Sequence, residues 1–225
     1  MTYTPPYIAS TLTVNAVVFQ LINRQLHVLL VQQPNAIDTD SWMLPGGANP
    51  SDESTLDTLE RIVKATTGIA ITSDLLYLEQ LYTFDVASVG TPHNPTVSVT
   101  YMGCGCDIVV RDEPVVAFYP IHALPTLDYD HADVIAYAHR RLIVKLSYTN
   151  LAYALMPPVF NLGQLQLAYE AIFGHQFDKR NFRKKLLGLN ILHETGMIDR
   201  EGAHRPAKLY AFNTLALEEF SHNFA

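Results

Sequence analysis

The chain has 225 residues, 48% of them hydrophobic and 16% charged, with a formal net charge of −7. That length and apolar content can bury a substantial core, and no uncharged apolar run reaches the roughly 18 residues of a membrane-spanning helix. An acidic balance alone argues against nucleic acid, but the charge is uneven: residues 1–150 carry seven Lys+Arg against fifteen Asp+Glu, whereas residues 151–225 carry eight against seven.

The N-terminal MTYTPPYIAS lacks the basic patch and apolar stretch of a signal peptide, so a cytoplasmic location is expected. Thr11 to Ile22 and Leu26 to Gln33, rich in Val, Leu and Thr, predict a hairpin about Asn23-Arg24. After a loop over Pro34 to Asp40 comes Trp42, then Leu44-Pro45-Gly46-Gly47, then a helix with Leu56, Leu59 and Val63 inward and Gly68 at its end. Strands are expected at Leu75 to Phe84, Val97 to Cys106 and Val115 to Tyr119, and a closing helix at Asp130 to Lys145. Cys104 and Cys106 are too few and too close for a disulfide scaffold or a complete zinc site, and predict two buried thiols.

Residues 148–160, broken by Met156-Pro157-Pro158, are expected to link a domain over 1–147 to a second over 161–225. In the second, Asn161 can cap a helix ending at Gly174, and Asp178 a further helix to Leu189. On that helix Phe182, Leu186 and Leu189 form an inward stripe. Lys179, Arg180, Asn181, Arg183 and Lys184 fall outside it or near the helix start. Strands at Ile191 to Thr195 and Lys208 to Phe212 would flank a basic hairpin carrying His204, Arg205 and Lys208. A capped basic helix beside a basic hairpin suits a winged helix on duplex DNA, with Asn181 a candidate for an adenine edge and Arg183 for a guanine.

Gly47, Glu53, Arg61, Val63, Gly68 and Ile69 stand in the register of the Nudix box, which this stretch resembles. In that pattern three glutamates would fall at 62, 65 and 66, on one helix face where they could hold a divalent cation against a diphosphate. Ile62, Ala65 and Thr66 stand there instead, so neither metal nor catalysis is expected, and no cofactor.

Together with LEQLYTF (Leu78 to Phe84), DHADVIAYA (Asp130 to Ala138), DKRNFRKKLL (Asp178 to Leu187) and HRPAKLY (His204 to Tyr210), the degraded box makes the whole chain similar to Nudix-related transcriptional regulators, the NrtR-like family. The resemblance implies an α/β (α+β) fold: a Nudix-like α/β/α sandwich with a mixed sheet, followed by a small winged helix-turn-helix domain. It further implies a homodimer that binds an inverted repeat in DNA and senses a small molecule, either nucleotide-derived, such as ADP-ribose, or a sugar. Candidate ligand contacts are Trp42, Tyr82, Phe84 and Tyr101 as stacking surfaces, with Gln80, Asp130 and His131 as polar groups. The stretch DVASVGTPHNPT, Asp85 to Thr96, has no Lys or Arg for a diphosphate, and His93 and Asn94 there suit an uncharged ligand equally. Two alternatives differ in class: an active Nudix pyrophosphatase using Glu53, Glu79 or Asp85, and a module whose basic helix meets RNA or an acidic protein.

Overall fold

The computed structural model describes residues 10–32, 41–85, 96–199 and 206–220. His204, Arg205, His93 and Asn94 lie outside them. The hairpin forms as expected: β1 (Thr11–Ile22) pairs antiparallel with β2 (Gln25–Gln32), and Asn23 and Arg24 both take positive φ, the two-residue turn whose twist matches paired strands. The chain continues through β3 (Trp42–Met43), β4 (Gly46–Ala48), α1 (Thr55–Thr67), α2 (Ile71–Asp74), β5 (Tyr77–Asp85), β6 (Thr96–Cys104), β7 (Val116–Pro120) and α3 (His131–Tyr148). The strands build a seven-stranded mixed sheet with central order β3-β2-β1-β6-β5, in which β6 lies parallel to β1.

Alternation divides the core in two. Val14, Ala16 and Val18 of β1 pack with Leu59 and Val63 of α1 on one face; Val17 and Phe19 pack with Val134, Ala138 and Leu142 of α3 on the other. Helix α1 is set by Ser54, whose side chain accepts from Asp57 N, and by Gly68 at φ 85, the left-handed end glycine favours.

Residues 148–160 are not an exposed tether. A 3-10 helix spans Leu151–Ala154, and Thr149 to Met156 are buried in the core that joins both halves. The C-terminal segment returns to cover them: Asn150 Nδ2 donates to Ala216 O and Asn150 Oδ1 accepts from Glu218 N.

Strand β8 (Phe160–Asn161) then leads to α4 (Leu162–Phe173), which begins with a reciprocal capping box between Asn161 and Gln164 and ends at Gly174, φ 73. Helix α5 (Lys179–Gly188) is capped by Asp178, and β9 (Leu192–Asp199) pairs antiparallel with β10 (Ala207–Phe212). The hairpin strands run further than the sequence suggests, since Gly196 to Asp199, expected in the connection, belong to β9.

Candidate functional site

Two sites emerge, one in each half. In the first, the odd residues of β1 change character along a single sheet face. Thr13 and Asn15 are polar where Val17 and Phe19 are apolar, and β6 repeats the change from Thr96 and Ser98 to Met102 and Cys104. Because the two strands are parallel and in register, Thr13 opposite Ser98, both polar ends meet at the same end of the sheet. There a cavity of about 360 Å³ opens, floored by these side chains and walled by Phe84, Tyr129, Asp130, His131 and Asp133. Asn15 Nδ2 donates to Ser98 Oγ at 2.8 Å, fixing the floor.

Gly46 and Gly47 bring the preceding loop to the rim. A Cβ on Gly46 would collide with Asn15 Oδ1 and Val14 O, so only glycine lets β4 pair with β1 here. His131, at the start of α3, holds the loop from the other side. Its Nδ1 accepts from Leu44 N at 3.1 Å, and burial pushes its pKa down to about 4 against the opposing pull of Asp128 and Asp130. It is therefore a neutral tether at pH 7.

The positions of the missing box carboxylates are filled otherwise. Ile62 packs at the edge of the α1 core, close enough to Gly47 that a Cβ there would lie 3.1 Å from its Cδ1. Ala65 is exposed, and Thr66 turns its hydroxyl back to Ile62 O at 2.9 Å while its side lines the cavity. Among the described residues no group of three or more His, Cys, Asp or Glu could hold a metal ion. The surviving acid Glu53 meets Arg61 at 2.7 Å and also accepts from Thr58; the Arg61 hydrogen bond holds its carboxyl below the usual range.

In the second half, Phe182 and Leu186 of α5 are buried against Tyr169 of α4. The turn between the helices is pinned twice: Glu170 Oε1 accepts from Phe177 N at 2.9 Å, and Gln166 Nε2 donates to Phe177 O at 3.0 Å. That leaves Lys179, Arg180, Asn181 and Lys184 exposed on the outer face of α5. Arg183 is half-buried, its Nε without a hydrogen-bond partner among the described residues, and it lines a cleft with Lys179, Lys208 and the start of α4. Lys208 is already engaged, with Nζ 2.9 Å from both carboxylate oxygens of Glu194.

This arrangement has close counterparts. The NUDIX domain model matches residues 11–137 and the NrtR DNA-binding winged helix domain model matches residues 152–212. The ADPR-responsive transcriptional repressor of Acinetobacter baylyi is 32% identical over 97% of this chain and 87% of its own length. The chain belongs to the NrtR family. Shewanella oneidensis NrtR, crystallised with a 27mer DNA, superposes with a TM-score of 0.78 at 30% identity, covering 94% of this chain and 98% of that one. The NUDIX domain of the same protein, crystallised with ADP ribose, gives 0.51 at 30% identity over 62% of this chain and 94% of its own.

Within this NrtR-family chain, the ligand contacts expected from the sequence separate. Phe84, Asp130 and His131 line the cavity; Trp42, Gln80, Tyr82 and Tyr101 do not. Tyr101 sits on the α1 face of β6, where its hydroxyl lies 2.7 Å from Thr55 Oγ1. Trp42 is buried edge-on to Tyr119, and Met43 next to it lines the cavity. Gln80 is exposed on β5, and Tyr82, 53% exposed, packs edge-on to Phe84 and tilted against Tyr137. Thr13, Asn15, Ser98, Tyr129 and Asp133 were missed. The shared parity of Thr13 with Asn15 and of Thr96 with Ser98 was the available signal.

Glu79, offered as an alternative catalytic acid, is committed elsewhere. Arg141 Nε approaches it at 2.9 Å and Lys145 Nζ at 3.2 Å. Burial raises its pKa, but hydrogen bonds from Arg141, Tyr77 and Lys145 outweigh burial and hold it low. Among the described residues no helix is long and apolar enough to cross a membrane.

Proposed function

We propose that the chain is a cytoplasmic transcriptional repressor that binds an inverted repeat in duplex DNA as a homodimer, and that a metabolite held in the Nudix-like cavity modulates that binding without being hydrolysed. The observation that carries this is the end-to-end match to DNA-bound Shewanella oneidensis NrtR, with the outer face of α5 basic and uncovered. Lysines and arginines there would neutralise phosphates, while Asn181 near the helix start is within the part of a recognition helix that meets base edges. The A. baylyi relative responds to ADPR, which makes ADP-ribose the reference ligand.

Absence of hydrolysis follows from chemistry. Ile62 and Ala65 offer no ligand to a divalent cation and Thr66 only a neutral hydroxyl, Glu53 and Glu79 are tied to cationic side chains, and Asp85, which lines the cavity, belongs to no group of three able to hold a metal ion among the described residues. A diphosphate hydrolase needs the metal to shield charge and acidify water.

Helix α3 offers the path between sites. It starts at the cavity with His131, meets α4 midway where His139 Nε2 donates to Ile172 O at 2.7 Å, and ends at the segment packed against the C-terminus. Eighteen residues span about 27 Å. The test is selection of bound duplexes from a random library, then titration of metabolites against the selected operator. An operator with two-fold symmetry whose affinity shifts with ligand supports the proposal; preference for single-stranded RNA, or release of AMP from ADP-ribose, overturns it.

A further inference from the structure

The Nudix-like cavity lies at the Thr13 and Asn15 end of β1. At the other end, about 20 Å along the strand from Asn15 to Leu21, a separate cleft of about 220 Å³ opens between the two halves. The sheet supplies Leu21, Arg24 of the β1–β2 turn, and Cys106 and Asp107 after β6; Leu155 to Pro157 and the outer side of α4 supply the rest. The loop after β6 is fixed against β1, with Gly105 N donating to Phe19 O at 3.2 Å and Ile108 N to Gln20 Oε1 at 2.5 Å. Leu155, Met156 and Ala168 are buried and give the cleft an apolar floor. Arg24 and Asp107 are exposed at its rim, and neither has an ion pair among the described residues. Arg24 sits at φ 64, in the left-handed region that favours glycine, so the turn itself does not call for an arginine. Cys106 adds no charge at pH 7, since burial, and then the neighbouring Asp107 carboxylate, push its thiol up to about 11.

We propose that this junction cleft binds an apolar α-amino acid, with its carboxylate on Arg24, its ammonium on Asp107 and its side chain against Leu155, Met156 and Ala168. One cation and one carboxylate beside an apolar floor match a zwitterion with an apolar side chain. A ligand carrying a single charge forgoes one of the two charge-assisted contacts. The volume falls below the range of about 300–1,000 Å³ that suits drug-sized ligands, which restricts the occupant to a small metabolite. Because both halves line the cleft, an occupant favours one arrangement of α4 against the sheet and so biases operator affinity, a second step that rests on the repressor reading.

Matched ligands decide it: leucine with leucinamide and 4-methylpentanoate, and phenylalanine with phenylalaninamide and 3-phenylpropanoate, titrated calorimetrically into the full chain. At least one amino acid should bind with a dissociation constant of about 1 mM or lower. Its amide, lacking the carboxylate, and its deaminated acid, lacking the ammonium, should each bind at least about tenfold more weakly. Arg24→Gly, which suits the turn, and Asp107→Asn, which keeps a residue tolerant of the left-handed backbone, should each weaken the amino acid by a similar factor. Both variants should leave ligand-free operator affinity unchanged. No binding by either amino acid, equal binding of amide and deaminated acid, or binding untouched by both variants overturns the proposal. The two levels fail separately: amino-acid binding that meets these conditions without shifting operator affinity keeps the site and overturns its coupling to DNA, whereas failure to select any operator strikes the repressor reading and leaves the binding result standing.

Discussion

His139 of α3 donates to the carbonyl oxygen of Ile172 in α4 at 2.7 Å, joining the helix that borders the cavity to the helix that supports the reader. Coupling between two sites needs an element whose arrangement both of them bias. His139→Ala should leave ligand affinity and ligand-free operator affinity within about twofold, yet shrink the ligand-induced change in operator affinity severalfold, consistent with the ~1 kcal/mol of one hydrogen bond. Parallel ligand titrations with and without operator measure this. Undiminished coupling would remove the α3 to α4 contact from the pathway.

Restoring the box is a second test. Ile62→Glu, Ala65→Glu and Thr66→Glu together should create manganese binding detectable by electron paramagnetic resonance, absent in the parent chain. Ile62 packs at the edge of the α1 core, so the change should also cost about 1–3 kcal/mol of stability. Equal manganese binding by the parent chain would mean that backbone or water replaces the lost carboxylates.

Arg180→Ala with Arg183→Ala should weaken operator binding by about 100-fold or more, and lower the slope of log affinity against log salt by about 2. Melting of the sensor half should not change, because Arg180 is exposed and Arg183 belongs to the reader's cleft. An unchanged slope would place the phosphates elsewhere.

Stability should fall on acidification through His131. Its folded pKa, about 4, lies below the ordinary histidine value of about 6.5, so between those values the unfolded chain binds the proton and the folded chain does not. Stability is therefore complete above about pH 6.5 and decreases toward pH 4, by about 2 kcal/mol between pH 7 and pH 5. Urea unfolding at those two pH values checks this. His131→Gln should flatten that part of the profile, and an identical profile in the variant would assign the acid sensitivity to other groups.

Local signals in the sequence carried most of the fold. The Asn161 and Asp178 caps, the helix-ending Gly68 and Gly174 and the Asn23-Arg24 turn each act through their own neighbours, and each stands where expected. What depended on tertiary contact was less visible. Leu151 to Met156 read as a linker because of the prolines that follow, although their apolar run is buried beneath both halves and the returning C-terminal segment. The four-residue α2 is too short to show a period. Aromatic character alone makes Tyr101 a stacking candidate, but strand parity puts it with Val97 and Val99, opposite Thr96 and Ser98. Lys208 belongs by sequence to a basic hairpin, but cross-strand pairing sets it against Glu194.

The measurement closest to the central claim is the affinity of the full chain for its selected operator, taken with and without the best-binding metabolite, each in magnesium and in a chelator. The ligand should shift operator affinity by the same factor in both solutions and be recovered intact. A shift that requires magnesium and disappears as the ligand is cleaved would contradict the claim, and show a working hydrolase where a sensor is proposed.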